Sequence, residues 1–244
     1  SQLFTNQLIM KNVKASGGTD GQEAQAQAIG FYNNSNQTSV AGLSLENVEA
    51  VGGRGTNHAF ANVAGIVNEN NATLVTTDAT AANIIKAVAT AGTISGTNSA
   101  TEDASATTFG INNANAMTIK GSLNITTIAT GGNGNAKDTS ATSTGIKNKS
   151  SSSLNILGPL TISATAQSPN AGSLNSKAEA LGIHNLSGTT NIKDNLKIIT
   201  LAESINGKPF KADALYATGG TINAGTDGIT SLGKIVQLEG DVKA

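Results

Sequence analysis

Short runs along the chain alternate strictly between small apolar residues and polar residues. In one run, Ala24, Ala26 and Ala28 are separated by Gln25 and Gln27. A period of two with one polar side is typical of a β-strand whose alanine side faces the interior. The same alternation precedes positions 65, 110 and 182, so the pattern predicts a chain of many short strands.

Each run leads into the same four-residue anchor, which consists of glycine, an apolar residue, a variable residue and asparagine. A degenerate sixth copy is predicted near the end of the chain, with Tyr216 at the glycine position. Self-similarity at a fixed period is the signature of a repeat architecture. The successive anchor glycines are 35, 45, 35 and 37 positions apart. The anchor residues are Gly30, Asn33, Gly65, Asn68, Gly110, Asn113, Gly145, Asn148, Gly182 and Asn185.

The parity of the alternation changes at the glycine. In the copy "AEALGIHN", Ala178 and Ala180 lie on one side of the predicted strand, whereas Ile183 and Asn185 fall on the opposite parity. A strand can turn both sets inward only by bending, and Gly182 stands where the bend is needed. We therefore expect a corner at each anchor glycine.

Two apolar pairs follow each anchor, such as Leu154/Ile156 and Leu160/Ile162 around the turn signal Gly158-Pro159. Each unit of about 36 residues then holds three short strands and a polar loop. This organisation predicts an all-β parallel β-helix, or β-solenoid, of six to seven coils, forming one domain over residues 1–244. A β-sandwich or another all-β fold is the alternative.

Stacking identical coils about 4.8 Å apart aligns the five anchor asparagines. Each buried amide can then pair with the amides above and below it, as in other stacked β structures. The interval of 45 residues predicts an insertion that bulges from the solenoid at positions 73–97. A solenoid coil absorbs extra residues only in its loops.

Composition agrees with a narrow interior and restricts the function. Charged residues make up 13% of the chain, the net charge is −1, and Cys and Trp are absent. Nucleic acids and anionic membranes need basic patches, so neither is an expected partner. No apolar stretch reaches the length of about 20 residues that a membrane span needs, so direct membrane insertion is not expected.

Candidate chemistry is sparse. The segment "GGNGNAKD" at 131–138 resembles a calcium-binding repeat but occurs once, so we interpret it as a loop. His184 occupies the variable slot of its anchor, which we interpret as exposed and tolerant, and His58 lies in a different context. Glu102 and Asp103 fall in a polar loop without a second acid in register. We therefore expect no catalytic, cofactor or metal site, and the chain is not expected to be an enzyme.

The pattern Ala-x-Ala-x-Gly-Ile-x-Asn, followed by Leu-x-Ile pairs and Gly/Asn/Ser/Thr-rich loops, resembles the passenger domain of a bacterial autotransporter. A filamentous-haemagglutinin-like exoprotein of a two-partner system is the close second. The resemblance covers nearly the whole chain and consists of its residue composition and its repeat length. It implies a right-handed β-helix that is secreted or displayed on the bacterial cell surface, as a fragment of a longer virulence-associated surface protein.

The resemblance implies a non-catalytic adhesin or self-association module, active in aggregation or biofilm. Its expected partners are a host surface receptor or copies of itself. The alternatives are a passive stalk, a filament-forming subunit or a toxin passenger region. Lateral, salt-sensitive association of the purified chain would support the adhesin hypothesis. End-to-end fibres would support the filament-forming subunit. Both ends read as mid-coil, so further β-helix coils are expected beyond them.

Overall fold

The structure is a computed structural model of the chain and describes residues 2–34, 37–95, 103–134, 138–149, 151–168, 175–204, 210–217, 221–224 and 235–243. About 80% is β-strand and there is no helix in the described ranges. Accordingly, none of these ranges contains an apolar helix that could cross a membrane. All strand pairs described are parallel, and they stack as a β-solenoid of about five turns, ~36 residues apart.

Each coil contributes strands to three faces. Face 1 contains β3 (Thr19–Asn33), β5 (Arg54–Asn68), β9 (Asp103–Asn113), β13 (Asp138–Asn148), β16 (Asn175–Asn185) and β19 (Phe210–Ala217). Face 2 is short and contains β6 (Thr73–Thr76), β10 (Ala116–Ile119), β14 (Ser153–Ile156), β17 (Thr189–Ile192) and β20 (Thr221–Ala224). Face 3 contains β7 (Ala82–Thr90), β11 (Ser122–Thr130), β15 (Leu160–Ser168), β18 (Leu196–Ser204) and β21 (Ile235–Lys243).

The remaining strands complete the first coil and the corner before face 1. The long strand β4 (Gln37–Val51) runs through faces 2 and 3, because it pairs with both β6 and β7. Strands β1 (Gln2–Lys11) and β2 (Lys14–Ser16) pair with β4 and stack on it along the solenoid axis. The two-residue strands β8 (Thr93–Ile94) and β12 (Asn133–Gly134) stack at the corner, β8 beside the start of β5.

The core is a set of vertical columns of identical or similar side chains. On face 1, Ala106 stacks between Ala61 and Ala141, and Ile111 continues the column of Ile66 and Ile146. These side chains are at most 1% exposed. A coil is therefore filled by alanine and branched aliphatic side chains, which is why the chain needs so few large apolar residues.

The anchor glycine forms the corner that the parity change predicts. Gly110 and Ile111 are consecutive and both are buried, so the inward parity changes between them. A Cβ on Gly110 would lie 2.3 Å from Cγ2 of Ile125 on face 3 and 2.5 Å from the carbonyl oxygen of Gly145 in the next coil. In this coil Gly110 leaves no room for a side chain, because Ile125 of face 3 and the backbone of Gly145 approach the corner too closely.

The prediction of an insertion at 73–97 is wrong. Thr73–Thr76 and Ala82–Thr90 are strands of faces 2 and 3 and pair with the neighbouring coils on both sides. The extra residues are divided among the corners instead. Thr73 follows Asn68 by five positions where Ala116 follows Asn113 by three, and the turn 77–81 is three residues longer than 120–121. The remaining five extra residues fall in the sequence between β8 and β9.

One further prediction needs correction. In the sixth copy, Leu215 pairs with Ile183 and Ala217 with Asn185, so Ala214 stands at the glycine position instead of Tyr216. The sequence assignment missed this because the sixth copy has neither the glycine nor the asparagine of the anchor. Face 1 has six described strands, one in each coil and separated by about five turns, and β1 and β2 add part of a further coil.

Candidate interaction surface

The anchor asparagines line the interior in a single file. Each Nδ2 donates to Oδ1 of the asparagine in the next coil, over 2.8 Å from Asn33 to Asn68 and 2.9 Å for each later step. All five side chains are at most 2% exposed. The hydroxyl of Thr38 donates to Oδ1 of Asn33 at the first step, and Nδ2 of Asn185 donates to the carbonyl of Gly188 at the last.

This ladder holds the coils together and cannot reach a ligand, because its amides are enclosed by the three faces. Backbone carbonyls accept a hydrogen bond from the second N–H of several Nδ2 groups. For example, Nδ2 of Asn113 donates to the carbonyl of Asn115 over 2.7 Å. A buried amide whose hydrogen bonds are all made stabilises its surroundings, whereas an unpaired one is costly. Any binding function must therefore lie on the outward side chains.

The outward column beside the corner is less exposed than predicted. Tyr32, Val67, Asn112, Lys147 and His184 stack in the variable slot of successive anchors. Val67 is only 6% exposed and the next three are half-buried, so Tyr32, at 48%, is the one strongly exposed member among these five. Burial, followed by the charge of Lys147, lowers the pKa of His184 below its usual value.

The residues considered for catalysis or metal binding are brought together only in part. His58 pairs in register with Glu23 and Asp103, and Asp103 in turn with Asp138. Burial and the neighbouring Asp138 carboxylate raise the pKa of Asp103, and His58 opposes this shift. His58 also stacks on Phe60, with ring centroids 5.3 Å apart.

Among the described residues, no group of three or more His, Asp or Glu side chains is arranged to hold a metal ion. Glu102 lies outside the described residues, as do positions 135–137 of the segment "GGNGNAKD". Asn133, interpreted from the sequence as part of a loop, belongs to β12 and its side chain is exposed.

The outer side of face 3 has a different character. Strands β11 and β15 carry nine outward side chains, none of which is charged. They are Ser122, Asn124, Thr126, Ile128, Thr130, Thr161, Ser163, Thr165 and Gln167. In the flanking strands β7 and β18, four outward side chains are aliphatic and three are charged. The aliphatic ones are Ile84, Val88, Ile199 and Leu201, and the charged ones are Lys86, Lys197 and Glu203. We call the outward residues of β7, β11, β15 and β18 the face 3 patch.

The outer side of face 2 carries a second asparagine contact that the sequence analysis missed. Nδ2 of Asn191 donates to Oδ1 of Asn155 over 2.9 Å, and Asn223 continues their register. The contact could have been found from the sequence by aligning the Leu-x-Ile segments of successive units. It lies between neighbouring coils, so it adds to their stacking.

Comparison with known proteins adds no family to this picture. No protein-family model, no curated protein and no solved structure matches the chain. The class that the structure defines is a parallel β-solenoid repeat protein.

Proposed function

We propose that the protein is a non-catalytic β-helix module of a secreted bacterial surface protein, and that it associates laterally with copies of itself. The observation that carries this proposal is the face 3 patch. Two adjacent coils present nine uncharged outward side chains there, and the flanking strands add four aliphatic ones beside Lys86, Lys197 and Glu203. The resemblance to autotransporter passengers supports the bacterial surface as its location.

The periodicity of the patch favours a second copy as its occupant. Outward side chains repeat at about 4.8 Å along the solenoid axis and about 6.6 Å along each strand. A second solenoid has the same two spacings, so its rows of outward side chains can match these rows over several coils. The equivalent patch of another copy is self-complementary in this sense, as a two-fold interface requires.

The size of the patch predicts weak association. Four strands of nine residues cover about 19 Å by about 26 Å, or about 500 Å² on each copy. A pair would then bury about 1,000 Å² in total, which is the low end for specific interfaces. Because the charged side chains of the patch lie only on its flanking strands and β11 and β15 present none, we expect association to depend less on salt than the sequence analysis assumed.

Analytical ultracentrifugation of the purified chain and two lysine variants tests this proposal. Thr126→Lys places a charge at the centre of the patch, in the column where Lys86 already occurs. Ser140→Lys is the matched control on the outer side of face 1, in the column of Lys177. Both substitutions are expected to preserve the fold.

We expect the wild type and Ser140→Lys to show the same concentration-dependent dimerisation, and Thr126→Lys to remain monomeric. A wild type that stays monomeric up to millimolar concentration would contradict the proposal. Fibres that Thr126→Lys does not suppress would favour the filament-forming alternative over lateral association.

A further inference from the structure

A recess of about 220 Å³ opens on the outer side of face 1, beside the glycine corner of the first three coils. It is lined by side chains of β3, β5 and β9 and lies on a different face from the face 3 patch. Its volume is smaller than the range of about 300 Å³ upwards that is typical of pockets for drug-sized ligands. The recess therefore suits a single ring or a short side chain.

The recess exists because one small residue stands between two large ones. Ile29, Ala64 and Phe109 occupy the same outward column in successive coils. Coils are about 4.8 Å apart, so the missing side-chain volume at Ala64 leaves a gap between the isoleucine and the aromatic ring. The column continues as Thr144 and Leu181, so larger residues fill this position in later coils.

The walls combine apolar surface with uncharged polar groups. Phe109 supplies an aromatic wall, and Nζ of Lys147 in the next coil lies 5.2 Å from its ring centroid. Gln27 and Asn62 place exposed carboxamides at the rim. None of the described lining residues is ionisable.

Asn112 provides a polar group that is not fully used. It lines the recess, and its buried Oδ1 has no hydrogen-bond partner. A buried acceptor without a donor costs free energy, and a ligand recovers it only where the carboxamide turns towards the recess. Rotation of the carboxamide can present either its oxygen or its nitrogen, because the two ends have nearly the same shape.

We propose that this recess binds one pyranose ring of an uncharged glycan. The ring has an apolar C–H side that can lie against Phe109 and the methyl of Ala64. Its hydroxyls can both donate to and accept from the carboxamides of Gln27, Asn62 and Asn112. A tyrosine side chain of another copy would offer a single hydroxyl to three carboxamides.

The site is independent of self-association through the face 3 patch, so either proposal can fail alone. Saturation-transfer NMR with methyl α-D-glucopyranoside, methyl α-D-mannopyranoside and methyl β-D-galactopyranoside tests it. Each sugar is titrated up to about 50 mM, because a ligand this small is expected to bind with a Kd of about 1 to 10 mM. A parallel titration uses p-cresol as a mimic of a tyrosine side chain.

Three variants give the test its specificity. Ala64→Leu fills the recess with the residue that the same column carries at Leu181, so it is compatible with the fold. Phe109→Ala removes the aromatic wall. Phe60→Ala is the control, because Phe60 is an outward aromatic residue of face 1 that does not line the recess.

We expect at least one sugar to bind the wild type and Phe60→Ala alike, with at least a tenfold loss of affinity in Ala64→Leu and Phe109→Ala. Unchanged circular dichroism spectra in all variants would show that the loss is local. The proposal is overturned if no sugar gives a signal, if Ala64→Leu binds as well as the wild type, or if p-cresol binds and the sugars do not.

Discussion

At the scale of single residues, Asn83 shows how one buried amide can replace a core leucine. It stacks in register with Leu123, which continues to Leu160 and Leu196. Its side chain is fully buried, with Oδ1 accepting from the backbone N–H of Leu43 and Nδ2 donating to the carbonyls of Lys120 and Ser122. The amide therefore satisfies backbone groups of the coils on both sides, just after the wide turn 77–81, where its own coil departs from the regular length.

The anchor ladder leads to the first prediction. Asn113→Ala removes an acceptor from Asn68 and a donor from Asn148, both inside the core. Because buried partners left unpaired carry a desolvation penalty, we expect a loss of roughly 1–3 kcal/mol in the free energy of unfolding. Urea denaturation followed by circular dichroism measures it.

The control for that measurement is Asn133→Ala, whose side chain is exposed in β12. It should unfold at nearly the wild-type urea concentration. If the two substitutions cost the same, the ladder does not contribute as its geometry indicates.

A second residue-scale prediction concerns pH. Burial and Asp138 raise the pKa of Asp103, so the folded state binds this proton more tightly than the unfolded state does. Its contribution to stability is therefore present at low pH and is lost as the pH rises through the folded pKa. We expect Asp103→Asn to unfold at a higher urea concentration than the wild type at pH 7, with the difference shrinking towards pH 3. A difference independent of pH would contradict this assignment.

At the scale of elements, the regular corners were predictable and the irregular ones were not. The parity change at Gly110 and Gly182 follows from local alternation, so five copies of the anchor were assigned correctly to corners. The interval of 45 residues was wrongly predicted to hold one insertion, because its extra residues are divided among three places along the chain. A polar residue at Asn83 also hid the leucine column that would have identified β7 as part of the coil.

The outward recess could not be predicted from the sequence. It depends on Ala64 standing between Ile29 and Phe109, and these three residues are far apart along the chain. Only the register between coils brings them together. The sequence analysis predicted that the neighbouring variable slot is exposed, although Val67 in that slot is buried.

The corner provides a prediction for Gly110→Ala. A methyl group there would meet both Ile125 and the backbone of the next coil. Overpacking of this kind costs about 1–3 kcal/mol or more, because backbone cannot move aside cheaply. Gly18→Ala is the control, since nothing lies within 4 Å of a Cβ at Gly18. Thermal unfolding should separate the two variants clearly, and equal melting temperatures would refute the close approach at the corner.

The wide turn provides a deletion test. Residues 78–80 are exposed, and removing them gives the turn the length found in the next coil. We expect this deletion to retain the β-sheet spectrum and a cooperative transition. Deleting the nine residues of β7 should abolish folding, because β7 joins β4 to β11 on face 3. A folded protein lacking β7 would restore the insertion hypothesis.

At the scale of the whole molecule, each coil contacts mainly the coils before and after it, so stability is close to a sum of neighbour terms. The terms are of two kinds. Inside, aliphatic columns and amide ladders join the coils without charge. Outside, ion pairs such as Lys14–Glu49 at 2.9 Å and Lys149–Glu69 at 2.8 Å join one coil to another.

These ion pairs lead to the last prediction, which concerns salt. The side chains of Lys14 and Lys149 are 60% and 35% exposed in their pairs, and exposed pairs contribute about 0–1 kcal/mol each. Raising the salt from about 0.05 M to about 0.5 M shortens the screening length to about 4 Å and should remove most of that contribution. The melting temperature should nevertheless change little, because the uncharged interior supplies the main attraction between coils. Lys149→Ala is expected to behave like added salt, with a loss below about 1 kcal/mol. A large fall in melting temperature on adding salt would mean that the surface pairs, and not the buried columns, hold the coils together.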